Sequence, residues 1–249
     1  MTRTLNAAVI VFLTSAAPAL ARADHGILIL APSGTDEWNA QVTALTAAAN
    51  AQKPTELALG TPARSTIEAA VARLVTRGAA DVTAVPFFLP AALAPELGTG
   101  YPVPLRLASS PADDPVLADV MMSRAQAISR TPSDEMVVIV GYGADDNGSP
   151  WSVNLAATAQ RLNQARRFAS IFLVKPAHTE AEQQQVRLVL EKFAGSQKRI
   201  LVVSLLTPPS GGDLNLMQSL QGYSYDVATS GAISDPRLVD WLISRTAAQ

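Results

Sequence analysis

Few residues in this chain can do nucleophilic, acid–base or metal chemistry. It has no cysteine and only two histidines, His25 and His178, in 249 residues. Thiolate metal sites, iron–sulfur clusters, cysteine nucleophiles and multi-histidine metal centres are therefore excluded. Two polar clusters remain. Ser33, Gly34 and Thr35 follow the apolar run Ile27–Ala31 and lead into Asp36 and Glu37. Hydroxyls and free N–H groups at a helix start suit a substrate carboxylate, and they equally suit plain helix capping with acids in the first turn. Tyr142, Gly143, Asp145 and Asp146 follow a second apolar run, Met136–Val140. The paired aspartates suit a hard divalent ion, or simply a polar loop turning at Asn147–Pro150.

Other chemistries lack their parts. Gly141-Tyr142-Gly143 has Asp146 where a dinucleotide fingerprint needs its third glycine, and no phosphate-loop Gly-Lys-Ser or Gly-Lys-Thr occurs. Ser33 has no Gly-x-Ser-x-Gly elbow around it, which argues against a serine hydrolase. His178, opening a helix after Pro176, reads as a surface residue. His25 has one alternative to a position just before the first strand. Processing after Ala23 would leave Asp24-His25-Gly26 at the new terminus, where amine, amide and imidazole can hold copper or nickel.

Such processing is expected. Arg3, the apolar stretch Ala7–Leu13 and the small residues Ala19–Ala23 have the order of an export signal over residues 1–23. The apolar stretch is far shorter than the ~20 residues of a membrane span, so an exported, periplasmic or secreted protein without a span is expected. Losing Arg3 and Arg22 changes the net charge from −2 to −4, with 17 basic against 21 acidic residues. Nothing basic enough for nucleic acid or an anionic membrane remains. With no disulfide available, an exported chain of this length must be held by its core.

The elements that position the two clusters alternate. Strands are expected at Ile27–Ala31, Leu57–Leu59, Val82–Leu89 and Leu105–Leu107. Helices are expected at Glu37–Gln52, with Trp38, Val42, Leu45 and Ala49 inward, at Arg64–Arg77, and at Asp114–Ser129. Asp114 is the expected N-cap of the last, with Pro115 at its first position. After the break at Thr131–Asp134 the order runs again. Strands Met136–Val140, Ile171–Val174 and Ile200–Leu206 alternate with helices Val153–Arg167, Glu180–Phe193 and Asp235–Ala248.

The second run resembles the first at fixed spacing. Asp114-Pro115-Val116-Leu117-Ala118-Asp119 matches Asp235-Pro236-Arg237-Leu238-Val239-Asp240, and Ser123-Arg124 matches Ser244-Arg245, all at an offset of 121. Fixed-period similarity points to an internal duplication. The expected fold is therefore α/β, two similar parallel-sheet three-layer domains at residues 24–133 and 134–249. In such sheets ligands sit at the carboxyl ends of the strands, where both polar clusters lie.

Glu37-Trp38-Asn39, Leu57–Gly60 before Thr66–Val71, Val85–Leu89, Asp114-Pro115 and Asp235–Leu238 with Trp241 give the chain its family likeness. In their order and spacing it resembles the sirohydrochlorin and cobalt chelatases, the class II tetrapyrrole chelatases, over nearly the whole length after residue 23. That resemblance implies a cleft between two halves in which a divalent metal (cobalt, iron or nickel) is inserted into a tetrapyrrole. It also implies metal-binding, proton-accepting histidines on strand-end loops. The matching positions hold Pro32, a residue near Ala92, and Tyr142. The expectation is thus an exported chelatase-like protein that binds a tetrapyrrole or metal without inserting it, its cleft lined by Ser33, Gly34, Thr35, Tyr142, Gly143, Asp145 and Asp146. Tyr142 could serve as axial ligand to a metallated tetrapyrrole. Two alternatives stay open: a divergent active chelatase using carboxylates and Tyr142, and a protein-interaction scaffold without a small-molecule site.

Overall fold

The computed structural model describes residues 25–34, 36–60, 63–87, 97, 99–111, 114–140, 156–165, 167–174, 180–194, 199–205 and 218–245. The expected export signal lies outside them. The first half contains β1 (His25–Ala31), α1 (Asp36–Asn50), β2 (Thr55–Leu59), α2 (Arg64–Thr76), β3 (Asp81–Pro86), β4 (Leu105–Leu107) and α3 (Pro115–Ile128). The second contains β5 (Glu135–Val140), α4 (Ala156–Gln164), β6 (Ser170–Val174), α5 (Glu180–Ala194), β7 (Arg199–Ser204), β8 (Tyr225–Val227) and α6 (Pro236–Ser244).

Two four-stranded sheets result, ordered β2-β1-β3-β4 and β6-β5-β7-β8, and every pairing is parallel. The expected α/β architecture with two similar parallel sheets is what the chain adopts. β1 and β5 run through the centre of their sheets. Residues 26–31 and all six of β5 are buried, which is why both read as unbroken apolar runs rather than alternating ones. In each half the chain leaves the central strand to one side and returns on the other. The switch point therefore falls at the carboxyl ends of β1 and β3 and, in the second half, of β5 and β7.

Helices cover both faces. Ile67, Ala70, Val71 and Leu74 of α2 cluster with Leu28, Leu30, Val82 and Ala84. The opposite faces of both sheets share one continuous core. It runs from Ile27 and Ile29 through Trp38, Val42, Leu117, Met121, Leu162, Leu238 and Trp241 to Val137, Ile139, Leu201 and Val203. Each large side chain removed from water there contributes about 1.5–3 kcal/mol. The inward residues expected on α1 (Trp38, Val42, Leu45, Ala49) are all buried.

Two helices cross over. α3 belongs to the first half by sequence, yet it packs on α4 and β7; α6 belongs to the second half and packs on α1. The expected cap at Asp114 holds, Val116 N donating to Asp114 Oδ1 at 3.0 Å, and Asp235, expected inside its helix, proves to cap it in the same way, Arg237 N donating to Asp235 Oδ1 at 3.0 Å. The chain also has a strand that periodicity does not announce. β8 is three residues of an edge strand, Tyr-Asp-Val, too short and too polar to show an apolar pattern. Among the described residues, no helix is long and apolar enough to cross a membrane.

Candidate functional site

The loop after β1 is built by residues of the helix that follows it. Ala31 O accepts from Gly60 N at 2.9 Å, and Leu30 O accepts from Phe87 N at 2.7 Å, so the neighbouring strand ends are tied to β1. Trp38 is buried in the core, and its indole N–H needs an acceptor there. It finds Pro32 O at 2.8 Å. One residue on, the Asn39 side chain closes a two-way bond with the loop. It accepts from Gly34 N at 3.0 Å and donates to Gly34 O at 3.3 Å. Trp38 and Asn39 thus latch residues 32–34 in place.

This latch changes what the loop can offer. The N–H of Gly34 is already used, so it does not serve as a free anion donor. A Cβ on Gly34 would lie 3.0 Å from Trp38 Cδ1 and 3.2 Å from Trp38 Cγ. Glycine is needed there because the backbone rests on the indole. Ser33 is exposed, its hydroxyl near Gly60, which has φ +106° and so also requires glycine. Pro32, where the resemblance implies a histidine, has no basic nitrogen, and its carbonyl is occupied by Trp38.

Thr35, Ala92, Tyr142, Gly143, Asp145 and Asp146 lie outside the described residues. The structure brings Ser33 and Gly34 together and is silent on their expected partners. Among the described residues, no group of three or more His, Cys, Asp or Glu side chains is placed to hold a metal ion.

His25 sits at the other end of the sheet. It is the first residue of β1, six positions from Ala31, or about 20 Å at the rise of a strand. It does not precede the strand. Its Nδ1 pairs with Asp81 and its Nε2 lies 2.8 Å from Thr83 Oγ1, so both ring nitrogens are engaged within the sheet. Burial pulls its pKa below the usual histidine value, Asp81 opposes this, and Lys53 and Arg106 reinforce it.

The corresponding place in the second half shows why a polar residue belongs there. His25 pairs in register with Asp81, and Thr83 with Arg106; Glu135 pairs with Arg199, and Leu201 with Asp226. Asp81 is also 3.4 Å from Arg106. Arg199 is bonded to Glu135 at 2.6 Å and to Asp226. The first row reads His-Asp-Arg and the second Glu-Arg-Asp. These are the same three positions with the acid and the arginine exchanged on the second and third strands, and both rows tie the amino ends of three strands together.

The architecture has known counterparts. No family model matches the sequence, and no curated protein matches it. Among solved structures, SirB from Bacillus subtilis with Fe3+ superposes with a TM-score of 0.65 at 16% identity, over 90% of this chain and 96% of that one. The sirohydrochlorin chelatase SirB from Bacillus subtilis subspecies spizizenii, in complex with cobalt, gives 0.61 at 15% identity over 90% and 94%. A multi-domain protein of Deinococcus radiodurans with structural similarity to chelatases gives 0.59 at 19% identity. This chain spans 55% of that protein's length and 90% of its own. The fold is that of the chelatases, as the order and spacing of the sequence elements imply.

Proposed function

We propose that this is an exported chelatase-like protein that binds a tetrapyrrole, or a divalent metal such as cobalt, iron or nickel, between the strand-end loops of its two halves without inserting the metal. The observation that carries the reading is the loop after β1. It lies at the switch point of a chelatase fold, where ligands of open α/β sheets bind. Its Pro32, which the sequence resemblance matches to a family histidine, has its carbonyl taken by Trp38. Metal insertion wants a neutral ligand that also takes a proton, and proline can do neither. Ser33, Gly34 and Thr35 on one side and Tyr142, Gly143, Asp145 and Asp146 on the other are the residues assigned to the ligand. Export is inferred from Arg3, Ala7–Leu13 and Ala19–Ala23. The matching offset of 121 and the identical strand order support an origin by duplication.

Spectral titration of the purified protein with sirohydrochlorin and haem tests this, alongside single-turnover insertion of Co²⁺ and Fe²⁺. Binding at micromolar concentration, about −8 kcal/mol, with no insertion above the uncatalysed rate is the expected result. Insertion that disappears in Tyr142→Phe or Asp145→Asn would instead make the protein a divergent chelatase. No spectral change with any tetrapyrrole would leave a scaffold.

A further inference from the structure

The two halves differ at one place where their packing should correspond. In the first half, α6 lies against α1, and Leu45, Ala49 and Val239 of these two helices are buried in one core. The strand registers Ile27–Thr55 and Val137–Ile171 relate the helices that precede those strands. Counting back from Thr55 and Ile171 sets Arg161 at the place of Leu45 and Ala165 at the place of Ala49. The offset of 121 sets Ala118 at the place of Val239. Between α3 and α4 an arginine and an alanine therefore stand where α1 and α6 place a leucine and a valine. A groove of about 450 Å³ stands there, with Ala165 exposed in its wall. Its volume is within the range of small-molecule sites, roughly 300–1,000 Å³.

The groove has an apolar floor and a cationic rim. Ala118, Met122 and Leu162 supply the floor, and Arg161, Arg167 and Arg237 stand around it. Arg237 is already committed. It donates to both carboxylate oxygens of Asp235 at 2.9 Å, and to Asp119 O at 3.3 Å, beside the one carboxylate among the described residues of the wall. Arg161 and Arg167 have no acidic or carbonyl partner among the described residues. Two guanidiniums without a bonded partner among the described residues, beside an apolar floor, suit a ligand that is charged at one end and greasy at the other.

We propose that this groove binds a small amphiphilic anion, a carboxylate or phosphate head on an apolar body, at a site separate from the strand-end cleft. The head lies between Arg161 and Arg167 and the body along Ala118, Met122 and Leu162. The occupant's head group distinguishes a fatty-acid-like source from an alkyl-phosphate one.

Calorimetric titration of the full chain with octanoate, octyl phosphate, inorganic phosphate and neutral octyl glucoside tests the proposal, each below its micellar concentration. At least one of the two amphiphilic anions should bind, and the tighter names the head group. Inorganic phosphate and the glucoside should bind at least about tenfold more weakly, since each lacks one half of the recognition. Arg161→Gln with Arg167→Gln should weaken the anion about tenfold or more, with the fold intact because both are exposed. Ala118→Val, which restores the filling used in the first half, should weaken it comparably. Absence of binding by either amphiphile, equal affinity for inorganic phosphate, or affinity unchanged in the arginine double variant would overturn the site. None of these outcomes bears on tetrapyrrole binding in the cleft.

Discussion

Arg245 donates to Asp114 Oδ2 at 2.8 Å across 131 positions of sequence, and Arg124 donates to Asp235 Oδ2 at the same distance. These are one interaction made twice. Asp114 and Asp235 correspond at the offset of 121, as do Arg124 and Arg245, so exchanging the halves exchanges the two pairs. Each aspartate has two tasks. One oxygen caps its own helix and the other receives an arginine from the helix of the other half. A self-complementary contact of this kind is what a two-fold interface produces. Here it joins the crossed-over helices within a single chain.

The two pairs should differ in strength. Asp235 receives Arg237 as well as Arg124, whereas Val116 stands at the place of Arg237 beside Asp114. Asparagine still caps a helix, so Asp→Asn isolates the charge. Asp235→Asn should cost roughly 2–4 kcal/mol and Asp114→Asn roughly 1, because the first leaves two guanidiniums short of a buried partner. Urea unfolding of both variants decides the order. Equal costs would show that Arg237 adds nothing.

Acid sensitivity should centre on two carboxylates. Arg237 holds the Asp235 carboxyl below the usual range, against its burial. For Glu135, burial pushes the pKa up but is outweighed by bonds from Ser129, the Arg130 and Thr131 backbone, and Arg199. A depressed carboxylate stabilises the fold above its unfolded pKa, near 4, and this stabilisation is lost as pH falls through the folded value. Stability should therefore drop below about pH 4. In Glu135→Gln the drop should be shallower, although that variant is less stable at pH 7. Denaturant midpoints from pH 7 to pH 2.5 measure both. An acid limb as steep as that of the unsubstituted protein would remove Glu135 from the account.

How much of this was legible follows from what each signal carries. Ile27–Ala31 and Met136–Val140 announce central strands because they are buried on both faces, and Asp114-Pro115 and Asp235-Pro236 announce caps because a helix start needs that chemistry. Periodicity says which face of α3 is apolar but not which sheet covers it, so the crossing of α3 and α6 was hidden. β8 was missed because Tyr225, Asp226 and Val227 form a short polar edge. The latch was half visible: Trp38 reads as core, while its N–H and the reach of Asn39 back to Gly34 appear only in three dimensions. Arg161 and Arg167 look like an ordinary solvated helix end. Only comparison with Leu45, through the strand register, marks Arg161 as replacing a core residue.

His25 should behave as a half-buried, neutral histidine. Because its folded pKa is lowered, the unfolded chain binds the proton more readily. Its contribution to stability is therefore present above the unfolded value of about 6.5 and is lost as pH falls from there toward the folded value. NMR titration, with His178→Gln to assign the two rings, should give a His25 pKa below 6.5. A value above 6.5 would mean that the pair with Asp81 outweighs burial, and the sign of the pH dependence would reverse.

The latch makes the last prediction, because it links the fold to the proposed binding. Asn39→Ala removes both bonds to Gly34, and Trp38→Phe removes the one to Pro32 while keeping an aromatic ring in the core. Each lost bond costs about 1 kcal/mol, so Asn39→Ala should destabilise the protein by about 1–2 kcal/mol. It should also raise amide exchange at Gly34, whose N–H loses its acceptor, while amides within β1 stay protected. A latched loop presents Ser33 in one arrangement and spares a ligand the entropy of ordering it. If the strand-end cleft binds a tetrapyrrole, Asn39→Ala should weaken that binding several-fold without altering the spectrum of the complex. Faster exchange at Gly34 with unchanged affinity would show that the loop after β1 takes no part in recognition. Residues 32–34 would then be a structural corner of the fold and nothing more.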